Sequence, residues 1–213
     1  MENKKYFTFD LISNILLIFA GGFISAYTYI LNSGTYASMH TGNLIKFLIA
    51  LTNGEFSFIN FMPLITFNIA LIIAYFLLDF KWSRIVSIIT QILCASVVLI
   101  FPNGNIFTII TLCILSVSCA FQFIFFNQVV GQAYTGIMCT NNMRLLEQSV
   151  VESIKTKKDF KKPLLYLGLI LTFSLGVVAS SFAIRGLDSY SLAIIIPLYI
   201  VIFFLQLPII RRK

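Results

Sequence analysis

Charged residues along the chain fall into clusters, and the intervals between the clusters are uncharged runs long enough to cross a bilayer. Six such runs stand out: Leu11–Leu31, Asn60–Leu78, Ile85–Phe101, Ile106–Phe126, Leu164–Ile184 and Ser189–Ile210, none of which contains Asp, Glu, Lys, Arg or His. A helix rising ~1.5 Å per residue needs about 20 residues to cross ~30 Å of hydrocarbon. Helices are required because the bilayer core holds no water to satisfy free backbone groups. The alternating ten-residue segments of a membrane barrel are absent.

Two further segments are semi-polar. Thr35–Glu55 contains His40 and Lys46, and Gln132–Lys155 contains Arg144, Glu147 and Glu152. Each could be a re-entrant hairpin, an interfacial helix or an additional span, and the loop charges help to choose. With six spans and a cytoplasmic N-terminus, 13 of the 15 basic residues face the cytoplasm, leaving only Lys46 and Arg185 outside. If both semi-polar segments crossed as well, Lys81 and Arg84 would also move outside. Because inner loops are enriched in Lys and Arg, six spans is the preferred count.

Composition agrees with this pattern. Hydrophobic residues make up 59% of the 213, charged residues 11%, and mean hydropathy is +0.94, far from the balance of a soluble domain. Six spans leave no room for an extramembrane catalytic domain. Lys4 and Lys5 before an apolar run resemble a secretory signal, but the run continues to Leu31, longer than a signal core. Cys94, Cys113, Cys119 and Cys139 lack metal-ligand spacing and read as small apolar side chains. The net charge of +7 derives largely from the cluster around Lys155–Lys162 beside a span, which suits anionic lipid headgroups and topology control rather than nucleic acid.

The two semi-polar segments align with each other. Tyr36-Ala-Ser-Met-His-Thr-Gly-Asn-Leu-Ile lies over Thr135-Gly-Ile-Met-Cys-Thr-Asn-Asn-Met-Arg, pairing Met39 with Met138, Thr41 with Thr140 and Asn43 with Asn142 at an offset of 99. At the same offset the first three spans fall on the last three, and by its position within the second run Phe67 maps near Phe173 in the fifth. Three spans per copy is an odd number, so the second copy enters from the opposite side. The expected fold is therefore an all-α integral membrane protein of six transmembrane helices. It forms a single transmembrane domain over 1–213, an inverted 3+3 repeat (11–102 and 106–210) with two short half-helix or re-entrant segments.

Inverted repeats are typical of transporters, whose polar sites lie at the repeat interface and use discontinuous helices. Thr41 or Asn43 is a suitable N-cap for a helix beginning near Leu44, and Thr140 or Asn142 for one beginning near Met143. Two such helix starts meeting from opposite sides would receive an anion or a polar solute on their free N–H groups. The candidate solute site is His40, Thr41, Gly42, Asn43, Lys46, Gln122, Asn127, Thr140, Asn141, Asn142 and Arg144. His40, the only histidine, suits either a pH-sensitive gate or an ordinary interfacial hydrogen bond. Lys46 and Arg144 sit early on the proposed half-helices; they could balance an anion or snorkel to headgroups, and Arg144 is spaced to pair with Glu147.

Within the spans, Asn14, Asn68, Gln91, Gln122, Asn127 and Gln128 are expected to face the protein interior or a polar cavity. Gly21, Gly22, Ser25 and Ala26, with Gly176 and Ser180, read as close helix packing.

Gly21-Gly-Phe-Ile-Ser-Ala-Tyr-Thr-Tyr-Ile followed by Tyr36-Ala-Ser-Met-His-Thr-Gly-Asn resembles the opening signature of the YoaK-like bacterial membrane proteins. The resemblance continues more loosely through Phe121-Gln122 and Thr140-Asn-Asn. It implies a multi-pass protein of the bacterial cytoplasmic membrane, and it carries no mechanism. Where members of that family often have an acidic residue this chain has Ser25, and where they often have Gly it has Asn141.

No acid lies within the six runs, so coupling to protons or cations would fall to His40, Glu147, Asp10 or Asp79, and uncoupled passage is equally open. No catalytic motif and no His, Asp or Cys cluster is present, so the chain reads as a non-enzyme without cofactor or metal. Its expected partners are the bilayer and a small solute, with homo-oligomerisation open. The rival reading is a non-transporting accessory or sensor protein.

Overall fold

The computed structural model describes residues 2–101, 105–157 and 159–212, with side chains over 7–101, 107–157 and 159–210. The basic side chains expected inside at Lys4, Lys5, Lys158, Arg211, Arg212 and Lys213, and the repeat boundaries at 102 and 106, lie outside the residues so described.

The apolar runs become helices, close to their expected bounds except that the first starts earlier and the last later: α1 (Glu2–Leu31), α3 (Phe58–Phe76), α4 (Ser83–Val98), α5 (Asn105–Phe125), α7 (Lys161–Leu187) and α8 (Ile195–Arg212). The semi-polar segments supply α2 (His40–Thr52) and α6 (Thr140–Thr156). Four stretches are long and apolar enough to cross a membrane: Phe7–Leu31, Phe58–Phe76, Phe107–Phe125 and Lys161–Ile210. The last is 50 residues long and is divided between α7 and α8 by a 3₁₀ helix at Asp188–Ile194, where the sixth run was expected to be helical from Ser189. Ser83–Val98 is apolar but shorter. The chain is thus all-α, with four candidate membrane-spanning stretches.

A minimal hairpin follows α5, with β1 (Gln128–Val129) antiparallel to β2 (Gln132–Ala133). Its turn, Val130 and Gly131, has φ of +53° and +70°, the left-handed pair that a two-residue hairpin needs. The turn after α1 repeats this backbone at Ser33 (φ +52°) and Gly34 (φ +70°).

The first helix of each half packs against the other half. α1 lies on α7 and α8, while α5 lies on α3 and α4; α2 packs on α3, α6 packs on α7, and α4 meets α8. With α1 matched to α5, α2 to α6, α3 to α7 and α4 to α8, each of these pairings has its counterpart. Glycines set the closest approach: a Cβ on Gly22 would overlap the Phe173 carbonyl oxygen, and one on Gly176 would overlap that of Phe19. Of the small residues expected to pack, Gly22 and Gly176 each meet the backbone of the facing helix across α1 and α7, and Gly21 meets that of the loop at Gly136. The core between the helices is filled by Leu17, Phe23, Ile88, Leu115 and Tyr199. Outward on α7, Leu164, Leu167, Leu171, Leu175, Val178 and Phe182 form an exposed, wholly apolar stripe.

Candidate functional site

α1 acts as a ruler along which both inter-helix loops can be located. The loop before α2 runs back from the C-terminal end of α1: the Ala37 N–H donates to Thr28 Oγ1 (3.3 Å), and the Ser25 and Ser38 hydroxyls share a hydrogen bond (3.2 Å). The loop before α6 comes from the other end: Tyr134 O–H donates to Asn14 Oδ1 (2.6 Å), and Gly136 and Ile137 abut Gly21 closely enough to forbid a Cβ there. The two loops converge between Gly21 and Ser25, near the middle of α1.

Each loop is clamped by an asparagine of the helix that follows it. Asn43 Oδ1 accepts from the Tyr36 N–H (3.1 Å), and its Nδ2 donates to the Tyr36 carbonyl (2.6 Å). Asn142 does the same to Thr135, at 2.9 and 2.7 Å. Both asparagines are fully buried. Neither is an N-cap. The helices start earlier than expected, after Met39 and Cys139, and neither start carries a side-chain cap. Placing the asparagines one turn inside the helices lets their amides reach back to the loop, which a terminal cap could not do.

The two uncapped starts face one cavity of about 430 Å³, lined by Ser38, Met39, His40 and Thr41 from the first loop and helix, by Leu64, Phe67 and Asn68 of α3, and by Met138 and Thr140 from the second half. Among the described residues no acidic side chain lines it. The His40 ring lies 4.1 Å from that of Phe67, centroid to centroid. Neither ring nitrogen meets the geometry of a hydrogen bond among the described residues, although the Ala37 carbonyl is close enough to interact. Phe47 lies 4.8 Å from Phe61, so α2 runs antiparallel to α3, its start level with the middle of that helix and its end level with the beginning. A neighbouring cavity of about 360 Å³ is lined by Ser25, Tyr29, Tyr36 and Phe173 among others, and Met39 borders both.

The remaining expected site residues are employed elsewhere. Lys46 donates to the Gly34 carbonyl and lies over the Tyr29 ring, 5.8 Å from its centroid. Gln122 is buried and donates to the Leu17 carbonyl (2.8 Å), tying α5 to α1. Asn127 is exposed beside the hairpin, away from the cavity. Asn141 Nδ2 donates to Thr135 Oγ1 and its Oδ1 accepts from Arg144, each at 3.2 Å. Arg144 makes no ion pair with Glu147; the pairs among the described residues are Arg84–Asp10, Lys161–Asp159 and Lys162–Glu152. Gly42 has open space where a Cβ would be. Asn68, expected to face the interior or a polar cavity, borders the cavity and returns its Nδ2 to the Leu64 carbonyl (2.7 Å), whereas Gln128, given the same expectation, is exposed beyond the end of α5. One residue past Phe67, Asn68 stands out in the sequence as a polar residue within a span.

Further polar ties join segments separated by one or more helices. Arg84 Nη1 meets Asp10 Oδ1 at 2.6 Å, joining the starts of α4 and α1. Thr35 Oγ1 lies 3.1 Å from Asn60 Oδ1, joining the segments on either side of α2. Tyr166 O–H donates to the Ala133 carbonyl (3.0 Å), joining those on either side of α6. Among the described residues no cluster of three or more His, Cys, Asp or Glu could hold a metal ion.

Neither a curated protein nor a solved structure matches the chain. A family model matches residues 14–205, a range that takes in the clamped loops, the cavity, four of the six apolar helices whole and the greater part of α1 and α8. On that match the chain belongs to the family described as Protein of unknown function (DUF1275).

Proposed function

We propose that the protein is a bacterial cytoplasmic-membrane permease of six spans, an inverted repeat whose α2 and α6 are re-entrant half-helices presenting their N-termini to a small polar or anionic solute. The observation that carries this reading is the convergence of the two uncapped helix starts on one cavity, approached along α1 from opposite ends.

The long-range ties support the span count. If α2 crossed the membrane, three crossings would separate Asp10 from Arg84, and the two would lie on opposite faces; their ion pair argues for two. Thr35 and Asn60 are separated by α2 alone, and Ala133 and Tyr166 by α6 alone, so each bond favours a short helix that leaves by the face it entered. α2, with 13 residues, is ~20 Å long, enough to climb from mid-membrane to the surface and too short to cross.

Chemistry at the cavity favours a neutral polar or negatively charged solute. Uncapped first-turn N–H groups carry the positive end of the helix dipole, and here two such ends face one space. Thr41, Thr140 and Asn68 add hydroxyl and amide groups, and no lining carboxylate opposes an anion. Asn43 and Asn142 serve as clamps that hold the helix starts, with Thr41 and Thr140 as the solute-facing members of each triplet. The absence of a membrane acid favours uncoupled passage.

The test is flux in proteoliposomes, assayed with a panel of small inorganic and carboxylate anions and uncharged polyols. Thr41→Val and Thr140→Val should each reduce flux with yield unchanged, and Thr140→Phe should abolish it. Full flux through Thr140→Phe would remove this site.

A further inference from the structure

We propose that α6 pairs with α6 of a second copy of this chain, forming a homodimer that walls the open side of the half-helix; the inference rests on the re-entrant placement given above. Among the described helices and strands, α6 packs only on α7. Its opposite face is a stripe at Thr140, Arg144, Glu147, Val151 and Ile154, all exposed. Their spacing alternates four and three, that of a seam between two helices.

The polarity of this stripe runs the wrong way for lipid. Counting from the mid-membrane start of α6, Arg144 lies ~6 Å and Glu147 ~10 Å along the helix, inside the ~15 Å half-thickness of the hydrocarbon. Val151 and Ile154 lie ~16 and ~21 Å along, at or beyond its edge, and are 49% and 64% exposed. Lipid and water would favour the reverse order, apolar within and charged at the surface, and the apolar stripe of α7 shows what a lipid-facing helix of this chain looks like. A protein surface is the covering that suits α6.

The same residues select a second copy as the occupant. A two-fold axis along the membrane normal brings each residue of the stripe opposite its own equivalent. Val151 and Ile154 then meet their copies as an apolar seam. Arg144 has no carboxylate partner, and Glu147 has no ion-pair partner, among the described residues. Three residues is a rise of ~4.5 Å, within reach of an arginine side chain, so each Arg144 can meet Glu147 of the partner subunit, twice over by symmetry.

The experiment uses the full chain in native membranes, with Cys94, Cys113, Cys119 and Cys139 replaced by Ala and a single cysteine returned for oxidative cross-linking. Ile154→Cys should give a disulfide-linked dimer, and Leu164→Cys should not. Arg144→Glu and Glu147→Arg should each lower the cross-linked fraction at least fivefold, and the two together should restore it, which separates a broken interface from a misfolded chain. Cross-linking at Leu164→Cys in place of Ile154→Cys, or a monomer by native mass spectrometry from nanodiscs, would overturn the dimer. A cytoplasmic loop at Gly54 would instead overturn the re-entrant placement, and it is read without reference to the cross-links.

Discussion

Asn43 and Asn142 hold the backbone seven positions before them by the same two hydrogen bonds, one on each side of an amide, 99 residues apart in the chain. Each clamp satisfies both polar groups of a loop residue that has no ladder or helix to pair with. Replacing either asparagine by Leu leaves an N–H and a C=O unpaired, a loss of about 2–4 kcal/mol. Thermal unfolding in detergent should show comparable losses for Asn43→Leu and Asn142→Leu. A large effect at one and none at the other would end the equivalence of the two loops.

The glycines divide into those that the fold requires and those it does not. Gly22→Ala and Gly176→Ala drive a methyl into a backbone carbonyl of the facing helix, and each should lower the melting temperature by several degrees or prevent accumulation. Gly42→Ala meets open space and should leave stability within about 0.5 kcal/mol, because a helical glycine replaced by alanine gains propensity. Reduced flux in a stable Gly42→Ala protein would mean that the solute itself occupies that space.

Asp10 and Arg84 are about three-quarters buried as side chains, 28% and 24% exposed. Arg84 also lies over the Phe126 ring, 5.3 Å from its centroid. Asp10→Asn or Arg84→Gln should destabilise by about 1–3 kcal/mol, Arg84→Gln the more, since it also loses the ring contact. A double-mutant cycle by thermal unfolding should show coupling of about 1 kcal/mol. Strict additivity would mean that the pair contributes nothing.

Sidedness is the most direct check of the span count. Paired periplasmic and cytoplasmic reporters fused at Gly54 should report outside, and at Lys157 inside. A cytoplasmic Gly54 would make α2 a full crossing and separate the two helix starts.

Much of this architecture was legible in the amino-acid pattern. The uncharged runs match six apolar helices to within a few residues except at α1 and α8, and the 99-residue alignment pairs Asn43 with Asn142. What the asparagines do was not legible, because capping and clamping call for the same residue at nearly the same position and differ only in where the helix begins. The hairpin at Gln128–Ala133 was hidden because Val130 is a β-branched residue in a left-handed conformation, contrary to its local preference. The exchange of α1 and α5 between halves leaves no mark in hydropathy, since a helix buried against either half has the same composition.

That exchange has a consequence for biosynthesis. α1 ends at Leu31 and its main partner, α7, begins at Lys161, so the nascent first helix must wait while 130 residues are translated, ~10 s at typical rates. During that interval its glycine face, built to meet another backbone, has only lipid or an insertion factor to cover it. A chain stopped after α5 would leave α1 stranded, and membrane quality control would meet the first half of this protein as an unfinished product however well its own helices had formed.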